Sequence, residues 1–258
     1  MGTLMATGAP RFVLTLDIDW APDFMIEAAL ATLRRHRLPA TLFVTHDSPL
    51  LSVLRAHPDP FELGVHPNFL PGSSHGETPR QVLAFVRRLL PAARSMRTHA
   101  LHQSSPLLAL ASAEFGLRTD ASLLLPGARH LAPHAVHYDH DATPLVRVPA
   151  CFEDDEHACR PGTTWRLREL RLGTPGLKVM TFHPALIYLN SADLHGYRAL
   201  KRLGALPSLT PDHAEPLINR TGRGVGTLFE AVCRVLVARP GEVGRVDAVA
   251  EHYRAAAA

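Results

Sequence analysis

The chain has 258 residues, 46% of them hydrophobic and 20% charged, with a formal net charge of +3. These values describe an ordinary globular chain and exclude a disordered one, and no apolar run is long enough to span a bilayer. The basic residues are almost all arginine, but no basic run interleaves with aromatics, so nucleic acid is set aside as a partner.

Cys151, Cys159 and Cys233 are an odd number without metal-type spacing, so neither a disulfide framework nor a zinc knuckle is indicated. The start of the chain, MGTLMATGAPRF, lacks a basic segment followed by a long apolar one. A reducing, cytoplasmic location is therefore expected. Length allows one large layered domain, and nothing reads as a linker, so residues 1–258 are taken as a single domain with helices from about residue 191.

Phe12 to Pro22 opens the chain with an apolar strand pattern that ends on Asp17 and Asp19, expected on one face with Leu16 and Ile18 behind them. Ile26, Ala29, Leu30 and Leu33 then recur at helical spacing, closed by Pro39. Ala40 to Thr45 is a second strand ending at His46 and Asp47, and a short helix lies around Leu50 to Ala56. Phe61 to His66 is a third strand, followed by a Pro- and Gly-rich loop holding His75. Thr78 to Leu90 is a helix with a Thr-Pro start.

Arg94 to His99 is the fourth strand, and Ser104 or Ser105 caps the next helix, which stops at Gly116. A short fifth strand ends at Asp120, which could cap a turn or brace a site. The Pro- and His-rich stretch from Leu125 to Pro144 is too irregular to assign. Leu145 to Ala150 is the sixth strand and leads into Glu153, Asp154, Asp155 and Glu156, a run expected as a solvated loop, with Asp154 and Asp155 candidates for sugar hydroxyls or site histidines. Gly176 to His183 is the seventh strand. Leu228 to Ala238 and Val246 to Tyr253 are terminal helices.

Strand and helix alternate, and His, Arg and Asp cluster at the carboxyl ends of the strands, where barrel enzymes of the β/α type place their sites. Asp17, Asp19, His66, His75, His99 and His183 form the candidate set. Imidazole and carboxylate from separate elements, with a position left open, are what a zinc-like ion requires. Asp19, His66 and one more histidine meet that need. Trp20 and Trp165 could stack on a sugar ring, although buried packing is at least as good a reading. Gly222, Gly224 and Gly226 precede a helix but lack a nucleotide-binding strand, so a turn is expected there.

LTLDID, ELGVHP, RTH (Arg97 to His99) and TFHP (Thr181 to Pro184) together resemble the motifs of the NodB-type polysaccharide deacetylases, carbohydrate esterase family 4. IDWAPD, FVTHDSP, HPNF and the acidic run after RVP are most similar to the WbmS-type branch. The resemblance covers Phe12 to about Asn190. It implies a distorted (β/α)7 barrel that removes an N-acetyl group from an amino sugar with one divalent metal ion, expected to be Zn2+.

On the matching positions it implies Asp17 as general base, oriented by Arg97, Asp19 and His66 as metal ligands, and His183 as general acid. Leu70 stands where the family carries a further histidine. The third ligand is therefore expected from His75 in the same loop, with His99 its rival and His46 more distant. Trp20, His46, Asp154 and Asp155 are the expected substrate contacts. The substrate is expected to be a small molecule or a nucleotide- or lipid-linked glycan precursor, and a homo-oligomer is compatible with the sequence. Hydrolysis of another C–N amide, or a metal-free sugar-binding role, stays open at this point.

Overall fold

The computed structural model describes residues 9–138 and 143–257. Ten strands form one sheet: β1 (Phe12–Asp17), β2 (Ala40–Val44), β3 (Phe61–Val65), β4 (Ser95–Met96), β5 (Thr119–Asp120), β6 (His134–Val136), β7 (Leu145–Arg147), β8 (Phe152–Glu153), β9 (Lys178–Phe182) and β10 (Val243–Gly244). Their order is β6-β7-β5-β4-β3-β2-β1-β9-β8, with β10 pairing onto β1. All pairings are parallel except β6 with β7. The sheet curls into a half-barrel backed by helices, as the expected distorted barrel requires.

The helices are α1 (Asp23–His36), α2 (Pro49–Ala56), α3 (Pro79–Leu89), α4 (Ser105–Ala113), α5 (Asp154–Ala158), α6 (Pro184–Tyr188), α7 (His195–Arg202), α8 (Pro211–Ala214), α9 (Val225–Val237) and α10 (Val246–Ala257). Their starts follow local chemistry. Ser48 and Ser104 each accept a hydrogen bond from the backbone N–H three residues on, and Thr78 with Gln81 forms a reciprocal capping box, each followed by proline in the first turn.

Every residue of β1 is buried, because both faces of the sheet are covered. Alternation then sorts the strand. Leu14 and Leu16 pack outward in the cluster that includes Ile26, Leu30 and Phe229. Val13 packs inward with Phe43, Val146, Val148 and Val179, and Val246, Val249 and Ala250 of α10 close that interior cluster from below. Gly64 faces the same interior: a Cβ there would meet the Phe43 ring at 2.8 Å, so only glycine leaves the ring its place.

Three expected elements differ. The fourth strand is only Ser95–Met96, because the chain leaves the ladder to serve the site: Thr98 N–H donates to Ser122 Oγ at 2.9 Å, and Ala100 and Leu101 are left-handed, both with φ 52°. The acidic run is not a solvated loop, since Glu153 ends β8, Asp154 starts α5, and both are buried. Within the stretch from Leu125 to Pro144, whose residues 139–142 lie outside the described ones, His134–Val136 is a strand paired to β7. Residues 1–8, where the expected absence of a secretion signal falls, also lie outside them.

The glycines before α9 act as packing contacts. Val225 N–H donates to Ser191 O at 2.9 Å and Thr227 N–H to Asn190 Oδ1 at 3.0 Å, so these amides have partners and do not form a phosphate cradle. A Cβ on Gly224 would stand 2.0 Å from the Asn190 carbonyl oxygen. Gly224→Ala is therefore expected to cost about 2–4 kcal/mol in urea denaturation, whereas Gly173→Ala, with nothing within 4 Å, should stay within about 0.5 kcal/mol of the parent.

Candidate metal centre and active site

The carboxyl ends of β1, β3 and β9, with the turn after β4, converge on one cluster. Asp17 ends β1 facing inward, and the chain then turns sharply through Asp19 and Trp20, which have positive φ of 40° and 57°. Trp20 N–H donates to Thr45 Oγ1 at 3.0 Å, which ties that turn to the end of β2. The turn, and not strand alternation, brings the Asp19 carboxylate round beside Asp17.

Asp19 Oδ1 lies 3.1 Å from His66 Nε2 and 3.1 Å from His99 Nδ1. His66 Nδ1–H donates to the Arg97 carbonyl at 2.7 Å. A carbonyl only accepts, so Nδ1 carries the hydrogen and Nε2 of the neutral ring turns a lone pair toward the carboxylate. Two acceptors at that distance repel unless a positive charge, a shared proton or a metal ion, lies between them. Donors about 3.2 Å apart also match the separation of neighbouring ligands around a zinc-sized ion. Asp19, His66 and His99 therefore fit a divalent metal. Burial alone would raise the Asp19 pKa, but the imidazoles of His66, His99 and His183 around it hold it well below the usual carboxylate range, so it is anionic.

His75 does not join this group. It is buried, its Nδ1 accepts from Asn68 N–H at 3.1 Å, and its Nε2–H donates to the Thr45 carbonyl at 2.8 Å. Its ring stacks on Phe85 at 4.6 Å. Burial pushes its pKa down to about 4, so it is a neutral strut with no nitrogen free for a metal. The expectation for the third ligand position is corrected on that ground: the histidine standing there is His99, the rival first named for it and also grouped with the catalytic residues. His46 is turned to Thr45 Oγ1 at 3.0 Å, outside the cluster, and burial lowers its pKa.

Asp17 and His183 flank the cluster. Asp17 Oδ1 accepts from Arg97 Nη1 at 2.8 Å, and its Oδ2 is 3.8 Å from His66 Nε2. Arg97 is fully buried; it also donates to Thr15 Oγ1 at 2.7 Å and to the Ala121 carbonyl at 3.0 Å, and lies 4.6 Å over the Phe43 ring. Gly64, Phe43, Arg97 and Asp17 thus form one stack. His183 Nε2 is 3.7 Å from Asp19 Oδ2, and a His183 ring nitrogen also lies within 4.8 Å of an Asp17 oxygen.

Asp154 holds His183 twice, accepting from its Nδ1–H at 2.5 Å and its backbone N–H at 2.8 Å. Burial would depress the His183 pKa, but the carboxylates of Asp154 and Asp155 more than reverse this and hold it well above the ordinary value. Asp154 is fully buried on His183, so of the two contacts expected for it the one with a site histidine is made, and the substrate contact is corrected. Asp155 is half-buried, with an oxygen within 4.8 Å of His183. Trp20 is half-buried, its ring 5.2 Å from His99 and 5.4 Å from His75. Trp165 is buried with its Nε1–H on the Ala192 carbonyl, so it offers no sugar platform.

Asp120 braces the floor of the site, accepting from Ser122 N–H and Oγ–H and from Arg147 Nε. Two residues were not singled out in the sequence. Glu153 lies with Asp17 and His183, ligand atoms within 4.8 Å of one another, and Tyr197 on α7 feels the charges of Asp19 and His183. Tyr197 gives no local sequence signal; Glu153 stood inside the acidic run.

Asp154→Asn is expected to lower turnover at pH 7 about 100-fold and to move the optimum toward acid. The sign follows from His183: without the carboxylate its pKa falls, so the protonated form needed to donate survives only at lower pH. A pH–rate profile checks it.

A parallel half-barrel whose carboxyl ends gather a buried Asp–Arg pair, a buried His–Asp pair and an Asp–His–His group defines a hydrolase-type site. The family model described as WbmS-like polysaccharide deacetylase matches residues 14–201, and the chain belongs to that family. A Bordetella bronchiseptica structure described as an inferred polysaccharide deacetylase involved in O-antigen biosynthesis is similar, with 30% identity over 88% of this chain and 91% of that one, and a TM-score of 0.73. The peptidoglycan deacetylase PdaC from Bacillus subtilis shows 11% identity over 96% of this chain and 94% of that one, with a TM-score of 0.48. Among curated protein sequences no relative is found. No helix among the described residues is long and apolar enough to cross a membrane.

Proposed function

We propose that this protein removes the N-acetyl group of an amino sugar, giving free amine and acetate, with one divalent ion, zinc by preference of the ligand set, held by Asp19, His66 and His99. The observation that carries this reading is Asp19 Oδ1 set 3.1 Å from each of two imidazole nitrogens, with Asp17 and His183 beside them. When bound, the ion would polarise the acetamide carbonyl and acidify the attacking water.

The chain's own groups do the rest. Asp17 takes the proton from the attacking water on Oδ2, because Oδ1 is held by Arg97. His183 delivers the Nε2 proton to the departing nitrogen, with Asp154 fixing the ring through Nδ1. Trp20 and Asp155 at the mouth are the proposed sugar contacts. The substrate we favour is a nucleotide- or lipid-linked glycan precursor in the cytoplasm; the similar protein's description as an O-antigen biosynthesis component supports this choice, as does the arginine excess.

The test is acetate release from a panel of acetylated amino sugars by zinc-loaded and by chelated protein. Release that requires the metal is the expected result. No release from any of them by loaded protein would overturn the reading, and hydrolysis of a different amide would keep the bond class and discard the sugar.

A further inference from the structure

Glu153 has no part in the reaction as derived above, yet it lies among the groups that do. It ends β8 in register with Thr181 of β9, the strand that delivers His183. Its side chain is buried, and one of its carboxyl oxygens, one from Asp17 and a ring nitrogen of His183 all lie within 4.8 Å of one another. The groups facing it are Asp17 at the end of β1, Arg97 after β4, Asp155 on α5 and His183 after β9.

Charge counting decides its state. Arg97 is bound to Asp17 at 2.8 Å, and the His183 imidazole is bound to Asp154 at 2.5 Å. His183 stands within 4.8 Å of Glu153, but its positive charge is already matched by Asp154, and among the described residues no ion pair to Glu153 forms. A further buried negative charge beside Asp17, Asp154 and Asp155 would go uncompensated, and a carboxyl so placed keeps its proton. A second metal ion on Asp17, Glu153 and His183 is disfavoured by the guanidinium already on Asp17.

We propose that Glu153 faces the substrate as a neutral carboxylic acid, whose hydroxyl donates a hydrogen bond to a substrate oxygen lying between Asp17 and His183. The nature of that substrate rests on the deacetylase reading; the neutral donor does not. Burial first, and then the charges of Asp155 and Asp17, push the Glu153 pKa up to about 8 against the pull of His183 and Arg97. The acid is thus a donor at neutral pH and loses that capacity as pH rises through its pKa. A protonated carboxyl as a hydrogen-bond donor recurs where a site must stabilise oxygen without adding charge.

Infrared difference spectra of zinc-loaded parent against zinc-loaded Glu153→Gln test the protonation state. A protonated-carboxyl C=O band present at pH 7 and lost as the pH is raised further is expected. Its absence at pH 7 overturns the proposal. In acetate-release kinetics, Glu153→Ala should lower kcat/KM about tenfold at pH 7, and Glu153→Gln, whose amide also donates, should recover part of that. The glutamine variant should also lose the part of the parent's alkaline fall that Glu153 causes.

A glutamine variant as impaired as the alanine one, with the alkaline limb unmoved, overturns the donor role. So does a second stoichiometric zinc that Glu153→Gln removes. No acetate from any sugar, with the carboxyl band present, would remove the deacetylase reading and leave the neutral donor standing.

Discussion

His99→Ala is expected to weaken zinc binding about 100-fold or more and to abolish measurable turnover, while His75→Ala keeps the metal. The two histidines are both close to Trp20, yet they differ in what their nitrogens do. His99 Nδ1 shares Asp19 Oδ1 with His66, so removing it takes away one of three donors. Both nitrogens of His75 are consumed by backbone groups of Asn68 and Thr45. Its loss instead leaves a cavity against Phe85 and two unmade hydrogen bonds, expected to cost about 2–4 kcal/mol of stability. Zinc titration of both variants separates ligand from strut. A His75→Ala protein that folds but binds no zinc would reverse the assignment.

Asp17→Asn is expected to lower kcat about a thousandfold with zinc content unchanged. The amide oxygen still accepts from Arg97 Nη1, so the stack of Phe43, Arg97 and residue 17 keeps its place. What disappears is the basic oxygen next to the cluster. Zinc stoichiometry near one, with turnover lost, is the signature of a missing base; turnover within tenfold of the parent would remove Asp17 from that role.

The sequence made most of the frame legible because parallel strands buried on both faces read as apolar runs, and β1, β3 and β9 each stop where a polar residue enters the site. Asp17, Asp19, His66 and His183 were found for that reason. His75 against His99 was not decidable from spacing: chain proximity to His66 favoured the loop histidine, whereas a bend after the two-residue β4 aims His99 at Asp19. The acidic run misled in another way. Four consecutive acids suggest solvent, but Glu153 and Asp154 straddle a strand-to-helix junction that turns both inward. The antiparallel β6 was illegible because it is three residues long and is specified by its partner β7 more than by its own composition.

The last helix carries a consequence for anyone trimming this chain. The stretch matched by the family stops at residue 201, but the floor under Val13, Phe43 and Val179 is supplied by Val246, Val249 and Ala250. A fragment ended at that boundary would open the interior to water from beneath Arg97, and the catalytic end would loosen although every polar group of the site were retained. The minimal working enzyme is therefore longer than its recognisable signature.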